Sequence, residues 1–279
     1  MRIFTISVTI VIFFAISLAV CNGNKMNEEK FAVKSLSDVT PAAWVKLAHQ
    51  TIYFGHQSVG ENIIAGIRVI MKEHPEIKLH IVETTDLAAF RSPVFANSPI
   101  GKNGAPLSKI NEFKELMDKG MGNLVNIAFF KFCFDDIRER TNVEMLFKNY
   151  SQTMDDLTRK YSKTQFVYIT VPLLKRQKRT LASRIKGFFG GGKGYFADEN
   201  NIARYKLNKL IRKKYKGSGL LFDLARLEST KPDGTRESFE KKGKIYYALA
   251  PAYTGDGGHL NVVGRKYIAQ QLLIFLANM

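Results

Sequence analysis

Segments with strand character alternate with segments with helical character along most of this 279-residue chain. Apolar runs such as Leu124–Phe134 are typical of strands buried on both faces, and the apolar spacing within Val59–Glu73 has the period of a helix. Such alternation favours a mainly parallel sheet with helices on both faces, an α/β fold of about five strands. The predicted strands are 51–54, 79–82, 124–134, 166–174 and 220–224, the predicted helices are 42–49, 59–73, 107–117, 142–161, 202–215 and 260–277, and 86–105 is predicted to be a long loop.

The first 21 residues have the layout of a secretory signal peptide. Arg2 precedes an almost unbroken apolar run, Ile3–Val20, and the sequence turns polar at Asn22. The alternative is a retained membrane anchor, because eighteen apolar residues can just span a bilayer. We predict an exported protein.

The boundary of this leader leaves two forms of export open. Leu18–Cys21 is similar to a lipobox, in which the cysteine is lipidated, although Val20 stands where a smaller residue is usual. The mature protein is therefore either lipid-anchored in the cell envelope or freely secreted. Residues 22–39 are predicted to be a polar tether and 40–279 the folded domain.

Charge and cysteine content restrict the partners and the covalent cross-links. The net charge of +17 favours association with anionic surfaces, such as a membrane or an acidic polysaccharide. Nucleic acid is not expected, because aromatic residues do not alternate with the basic ones as a stacking platform requires. Cys21 and Cys133 are the two cysteines, so no intrachain disulfide is expected in the mature domain, and Cys133 is predicted to be a small buried apolar residue.

A basic, glycine-rich insertion is predicted over residues 175–200. It begins with the basic run Lys175–Arg179 and contains the glycine-rich run Gly190–Gly194. It is either a flexible basic lid over the site or a solvated loop without function. The glycines lack the Gly-Lys-Ser/Thr ending of a phosphate-binding P-loop.

Two short segments carry candidate catalytic residues. In Phe54–Gly60, Ser58 lies where a strand turns into a helix, so backbone N–H groups of the first helical turn can bind a developing oxyanion. The other interpretation is that Ser58 only caps the helix. In Thr254–Asn261, Asp256 precedes His259 by three residues in a glycine-rich loop, which allows the carboxylate to hold the imidazole as in a serine triad. The alternative there is a capping Asp256 and a surface His259.

Taken together, a Ser after the first strand and an Asp-x-x-His before the last helix resemble the SGNH (GDSL-like) hydrolases. The resemblance covers about residues 50–279 in element order and some fifteen residues in specific motifs. It implies a three-layer, flavodoxin-like sheet and a serine esterase without a cofactor, with Ser58, Asp256 and His259 as the triad. Acetyl or other short acyl esters of carbohydrates would be the first substrates to consider, and lipid esters the alternative.

The resemblance also implies a Gly and an Asn as oxyanion donors. Gly101 or Gly104 fits the glycine, but 131–136, where the third predicted strand ends, contains no Asn. Either Asn103 substitutes for it or backbone N–H groups suffice. His56 stands two residues before the nucleophile, where it can line the pocket. A non-catalytic envelope protein that binds a glycan or an anionic polymer is the rival function. No metal site is predicted, since Asp135, Asp136 and Glu139 lack His or Cys neighbours with ligand spacing.

Overall fold

The computed structural model describes residues 34–176 and 198–279. The predicted signal peptide, Cys21, most of the tether and nearly all of the basic insertion lie outside these residues. Within them, no helix is long and apolar enough to cross a lipid bilayer.

Six parallel strands form one sheet in the order β2-β3-β1-β4-β5-β6, and β7 pairs with β8 in a separate antiparallel hairpin. Without the edge strand β2, this order is the 2-1-3-4-5 arrangement of flavodoxin-like folds. The strands are β1 Thr51–His56, β2 Ile81–Glu83, β3 Val94–Pro99, β4 Ile127–Phe130, β5 Gln165–Ile169, β6 Leu221–Phe222, β7 Ser238–Lys241 and β8 Lys244–Tyr247.

Helices cover both faces of the sheet, which confirms the predicted three-layer α/β fold. Apolar side chains of α1, α2, α6 and α7 pack on one face, and those of α3, α4 and α5 pack on the other. The α-helices are α1 Pro41–Ala48, α2 Val59–Glu73, α3 Pro106–Asp118, α4 Val143–Lys160, α5 Asp198–Tyr215, α6 Leu224–Ser229 and α7 Val262–Ala277. Short 3-10 helices cover Leu36–Asp38, Leu87–Arg91, Met121–Asn123, Phe134–Asp136 and Pro251–Tyr253.

One strand of the sheet corrects the predicted loop 86–105. Strand β3 lies within that stretch and pairs with both β1 and β2. Its last residues are polar because they bind neighbouring strands: Asn97 bonds His56, and the Ser98 hydroxyl lies 2.8 Å from that of Tyr53. These two buried residues of β3 are polar, so the segment lacks the apolar pattern that predicts a strand, and it was predicted to be a loop.

The order in which strands are added to the sheet reverses at β1. From β1 the chain passes to β2 and β3 on one side, and it then crosses to β4 on the other. Ligands of open parallel sheets bind at such a switch point, outside the carboxyl ends of the strands. Ser58 follows the carboxyl end of β1 and therefore lies at this position.

Candidate active site

Ser58 has an unusual backbone conformation between β1 and α2. Its φ of 57° and ψ of −103° lie outside the regions that residues with a side chain ordinarily adopt. Its side chain makes no capping hydrogen bond to α2, and its Oγ is buried with no hydrogen-bond partner. By contrast, Thr40 and Asn142 accept amide hydrogen bonds at the starts of α1 and α4. Ser58 therefore does not act as a helix cap, and strain of this kind concentrates at functional sites.

Asp256 and His259 form a closed unit in the loop before α7. The His259 Nδ1–H donates to Asp256 Oδ2 over 2.6 Å, which leaves Nε2 of the neutral imidazole to accept a proton. The second oxygen of Asp256 accepts the backbone N–H groups of Gly258 and His259, each over 2.8 Å. Partial burial opposes ionisation of Asp256, but these hydrogen bonds outweigh it and hold the pKa of the carboxyl well below its usual range. The pair can therefore orient a general base.

The two segments meet at the same edge of the sheet. The Leu260 N–H donates to Asn62 Oδ1 over 2.9 Å, and the Asn62 N–H donates to the carbonyl of Ser58 over 3.2 Å. The starts of α2 and α7 are thus joined through one side chain. The His259 ring, about half exposed, packs edge-on against Phe134 at 5.5 Å between centroids. No direct hydrogen bond joins the Ser58 and His259 side chains, because Ser58 Oγ has no partner.

His56 lies beneath this turn rather than in an open pocket. It is 2% exposed, and its Nε2–H donates to Asn97 Oδ1 over 3.0 Å. The ring also fills the space beside Gly60, where an added Cβ would approach His56 Cβ to 2.2 Å. Burial lowers the pKa of His56 to about 4 despite the bond to Asn97. In this structure His56 packs under the turn that carries Ser58, and its predicted contact with substrate stays a prediction.

The pKa of His56 predicts a stability change with pH. An unfolded histidine titrates near 6.5, so the unfolded chain binds more protons than the folded one between pH 6.5 and 4. The contribution of His56 to the free energy of unfolding should therefore fall by about 3 kcal/mol over that interval and stay constant below pH 4. We expect His56→Gln to remove this fall in urea denaturation at pH 7, 5 and 4. Exposed His80→Gln is the control, and an equal effect of both substitutions would contradict the prediction.

The predicted oxyanion residues already have partners of their own. The Gly101 N–H donates to Glu112 Oε2 over 2.8 Å, and Asn103 Oδ1 accepts a hydrogen bond from Lys109 Nζ over 3.0 Å. The alternative glycine, Gly104, donates its N–H to Asp136. The Gly101 N–H is therefore not a free donor in this structure, and the carbonyl oxygen of the Asn103 side chain is occupied. Their assignment stays a prediction.

A buried ion pair below these loops was missed from the sequence. Lys109 Nζ lies 2.6 Å from Asp136 Oδ2, and both side chains are fully buried. Asp136 also accepts the N–H groups of Gly104 and Cys133, so it joins the loop before α3 to the turn after β4. The sequence indicated only that the acids after β4 do not form a metal site, and it did not indicate a buried partner for Asp136. The available signal was a lysine, Lys109, directly before the apolar Ile110 on the inner side of α3.

The side chains of Lys131 and Cys133 are buried directly after β4. Lys131 is 1% exposed, and its Nζ contacts the Cys133 sulfur at 3.6 Å. Burial is the main cause that lowers the pKa of Lys131. Cys133 is buried as predicted, and its Sγ lies 3.7 Å from the carbonyl of Gln57, beside Ser58.

Among the described residues, no group of three His, Cys, Asp or Glu side chains could hold a metal ion.

The conformation of Ser58 predicts that glycine stabilises the fold at this position. Glycine adopts positive φ without steric cost, and relief of strain should exceed its entropic penalty by about 1 kcal/mol. We therefore expect Ser58→Gly to raise the free energy of unfolding in urea above that of the wild type. Asn142→Gly is the control, because Asn142 starts a helix at a φ of −73° and caps it. A loss of stability in both variants would show that Ser58 is unstrained.

Comparison with known proteins gives limited information. No family model matches the chain, and no curated protein matches it. A solved structure from Streptococcus pneumonia that bears the provisional name platelet activating factor is similar in structure, with a TM-score of 0.49 and 12% sequence identity. The match covers 86% of this chain and 94% of that chain. A likeness of this degree assigns no function.

Proposed function

We propose that this chain is an exported serine esterase that hydrolyses an acyl ester through Ser58, His259 and Asp256. The observation that carries the proposal is the conformation of Ser58: strained, uncapped and with an unpaired buried hydroxyl at the switch point of the sheet. A serine that served only the helix would accept an amide hydrogen bond, and this one does not. In this proposal, the Asp256–His259 pair supplies the base that such a hydroxyl requires.

The reaction follows from these positions. His259 Nε2 would take the proton of Ser58 Oγ as that oxygen attacks the ester carbonyl carbon, and Asp256 would stabilise the resulting imidazolium. The alcohol would leave with the proton from His259 and give an acyl-Ser58. Water activated by the same imidazole would then release the carboxylic acid and restore Ser58. No cofactor is needed for either half of the reaction.

The oxyanion donors in this proposal are backbone amides. The first N–H groups of a helix have no acceptor within that helix, and α2 begins directly after Ser58. We assign the N–H groups of Ser58 and Val59 to the negative oxygen of the tetrahedral intermediate. Two observations support this choice: residues 131–136, around the turn after β4, contain no Asn, and Glu112 accepts the Gly101 N–H.

The substrate class proposed is an acyl ester, with an acetylated carbohydrate as the first compound to test and a lipid ester as the second. Both choices depend on the resemblance noted in the sequence. Export is equally a proposal, and it requires that the purified envelope protein begin at or after Cys21. An intact residue 1 in cytoplasmic protein would contradict it.

A fluorophosphonate probe tests the nucleophile directly. We expect the probe to label the wild type, with the adduct on the peptide that contains Ser58, and to leave Ser58→Ala unlabelled. Exposed Ser162→Ala is the matched control and should label like the wild type. Labelling at another serine in both variants would disprove the assignment of Ser58.

The rival function is a non-catalytic envelope protein that binds a glycan or an anionic polymer. The observation in its favour is that the N–H of Gly101, the predicted oxyanion donor, already has Glu112 as its acceptor. A wild-type protein that neither reacts with the probe nor hydrolyses any short-chain ester would favour this alternative.

A further inference from the structure

The β7–β8 hairpin carries a basic tip that the esterase proposal does not use. Its turn, Lys242–Gly243, joins the directly paired Lys241 and Lys244. Like charges that face each other across a hairpin destabilise it. Lys241 is neutralised by an ion pair with Glu199, but neither Lys242 nor Lys244 has a carboxylate within ion-pair distance among residues 34–176 and 198–279. The tip therefore presents two unpaired cations to solvent.

The backbone of the turn is unfavourable for a lysine. Lys242 has a φ of 51° and Gly243 a φ of 71°. Two positive φ values define a type I′ turn, in which asparagine or aspartate normally precedes the glycine. Apart from Ser58, Lys242 is the one non-glycine residue with positive φ in the part of the chain that the structure describes. A strained residue that also adds charge repulsion points to a role outside the stability of the hairpin.

The hairpin also exposes an apolar side chain, that of Ile245. Phe239 and Tyr246 face each other inside the hairpin, and Tyr246 packs edge-on against Tyr205 of α5 at 5.0 Å. Side chains alternate along a strand, so Ile245 points to the opposite face, where it is 59% exposed. The acid on that face is Glu240, which is paired directly with Ile245. The tip thus combines exposed positive charge with an exposed aliphatic group.

The hairpin lies on the same edge as the candidate active site. The Leu249 N–H, just after β8, donates to the carbonyl of Leu174. The next residue, Lys175, donates its N–H over 2.8 Å to Gly257, in the loop of Asp256 and His259. Arg176 stacks on Phe239 of β7 at 5.0 Å. The base of the hairpin is therefore joined to the loop that carries Asp256 and His259.

We propose that Lys242, Lys244 and Ile245 dock this edge of the protein on an anionic lipid bilayer. Lysine side chains are attracted to acidic headgroups, and Ile245, which is exposed on the face of the hairpin opposite Lys244, can enter the interface between headgroups and acyl chains when the tip approaches end-on. A soluble polyanion would account for the lysines alone and would leave Ile245 in water. The net charge of +17 adds a long-range attraction of the same sign.

Tryptophan fluorescence tests the position of the tip in the full chain. The chain has one tryptophan, Trp44, which is buried and gives the baseline. Ile245→Trp should shift to shorter wavelength with vesicles of equal parts phosphatidylglycerol and phosphatidylcholine, but not with pure phosphatidylcholine. High salt should reverse the shift. Val45→Trp, an equally exposed position on α1 at the other end of the sheet, is the control and should not shift.

Charge neutralisation completes the test. In the Ile245→Trp background, Lys242→Gln/Lys244→Gln should raise the lipid concentration at half-maximal shift about 30-fold, because each lysine near an acidic leaflet contributes about fivefold. Lys78→Gln/Lys163→Gln removes the same charge from the opposite edge and should have much less effect. Equal effects of the two pairs, or no shift of Ile245→Trp, would overturn the proposal. Tip-dependent binding to soluble polyphosphate without a lipid shift would replace the bilayer with a polyanion.

Esterase turnover of a soluble ester should stay unchanged in Lys242→Gln/Lys244→Gln. The docking proposal and the catalytic proposal can therefore fail separately, because the fluorescence shift needs no turnover and the soluble ester needs no bilayer.

Discussion

Replacing Ser58 with alanine is expected to lower kcat for p-nitrophenyl acetate by on the order of 10⁴- to 10⁶-fold while the protein stays folded. The nucleophile is then absent, and only the amides at the start of α2 and substrate binding remain. His259→Ala should cost a similar factor because it removes the base. Asp256→Ala should be milder, since Asp256 orients the imidazole and transfers no proton. Initial rates measure the loss, and circular dichroism checks the fold.

The double variant is the more informative measurement. Triad members act as a unit, so Ser58→Ala/His259→Ala should be little worse than either single variant. Independent losses that multiply would mean that the two residues do not serve one step. Ser162→Ala and His80→Ala change exposed residues and should keep wild-type rates. Wild-type turnover in Ser58→Ala would reject Ser58 as the nucleophile.

The second large effect concerns stability. Lys109→Met is expected to lower the free energy of unfolding by about 3 to 5 kcal/mol, because it leaves the Asp136 carboxylate buried without its cation. Urea denaturation followed by circular dichroism measures the change. The variant should unfold at a clearly lower urea midpoint with an unchanged slope.

Two controls separate burial from charge. Lys119→Met removes a lysine from an exposed pair with Glu115 on the same helix and should cost less than about 1 kcal/mol. Lys109→Met/Asp136→Asn should recover part of the loss, because a neutral amide oxygen can still accept a hydrogen bond from the Gly104 or Cys133 N–H. If Lys109→Met costs no more than Lys119→Met, the buried pair does not hold these loops together.

The order of strands and helices could be predicted because it depends on local apolar patterns. Helix α2 was placed at its observed bounds, since Ile63, Ile67 and Ile70 repeat at a helical period and Pro75 follows. Strand β3 was missed because Asn97 and Ser98 are buried as partners of other strands, so their polarity indicated a loop. The short hairpin that ends in Tyr247 was missed as well, because half of its residues face solvent.

The candidate site was predictable to the extent that it consists of sequence motifs. Ser58 and the Asp256–His259 pair were found because each lies in a short segment with characteristic neighbours. The conformation of Ser58 and the Lys109–Asp136 pair could not be found in this way. Both depend on contacts between residues distant in sequence, and a buried charge is recognisable only once its partner is known.

The bridge from Leu260 through Asn62 to Ser58 has a consequence for the biosynthesis of this protein. Helices α2 and α7 approach so closely that a Cβ on Gly66 would come within 2.3 Å of the Arg265 carbonyl. The second α-helix and the last one must therefore pack together before the nucleophile and the base become neighbours. A nascent chain that stops before residue 259 contains the serine but not the proposed base. If the esterase proposal holds, hydrolytic activity should therefore appear only after the segment of Asp256 and His259 has been synthesised and α7 has packed on α2.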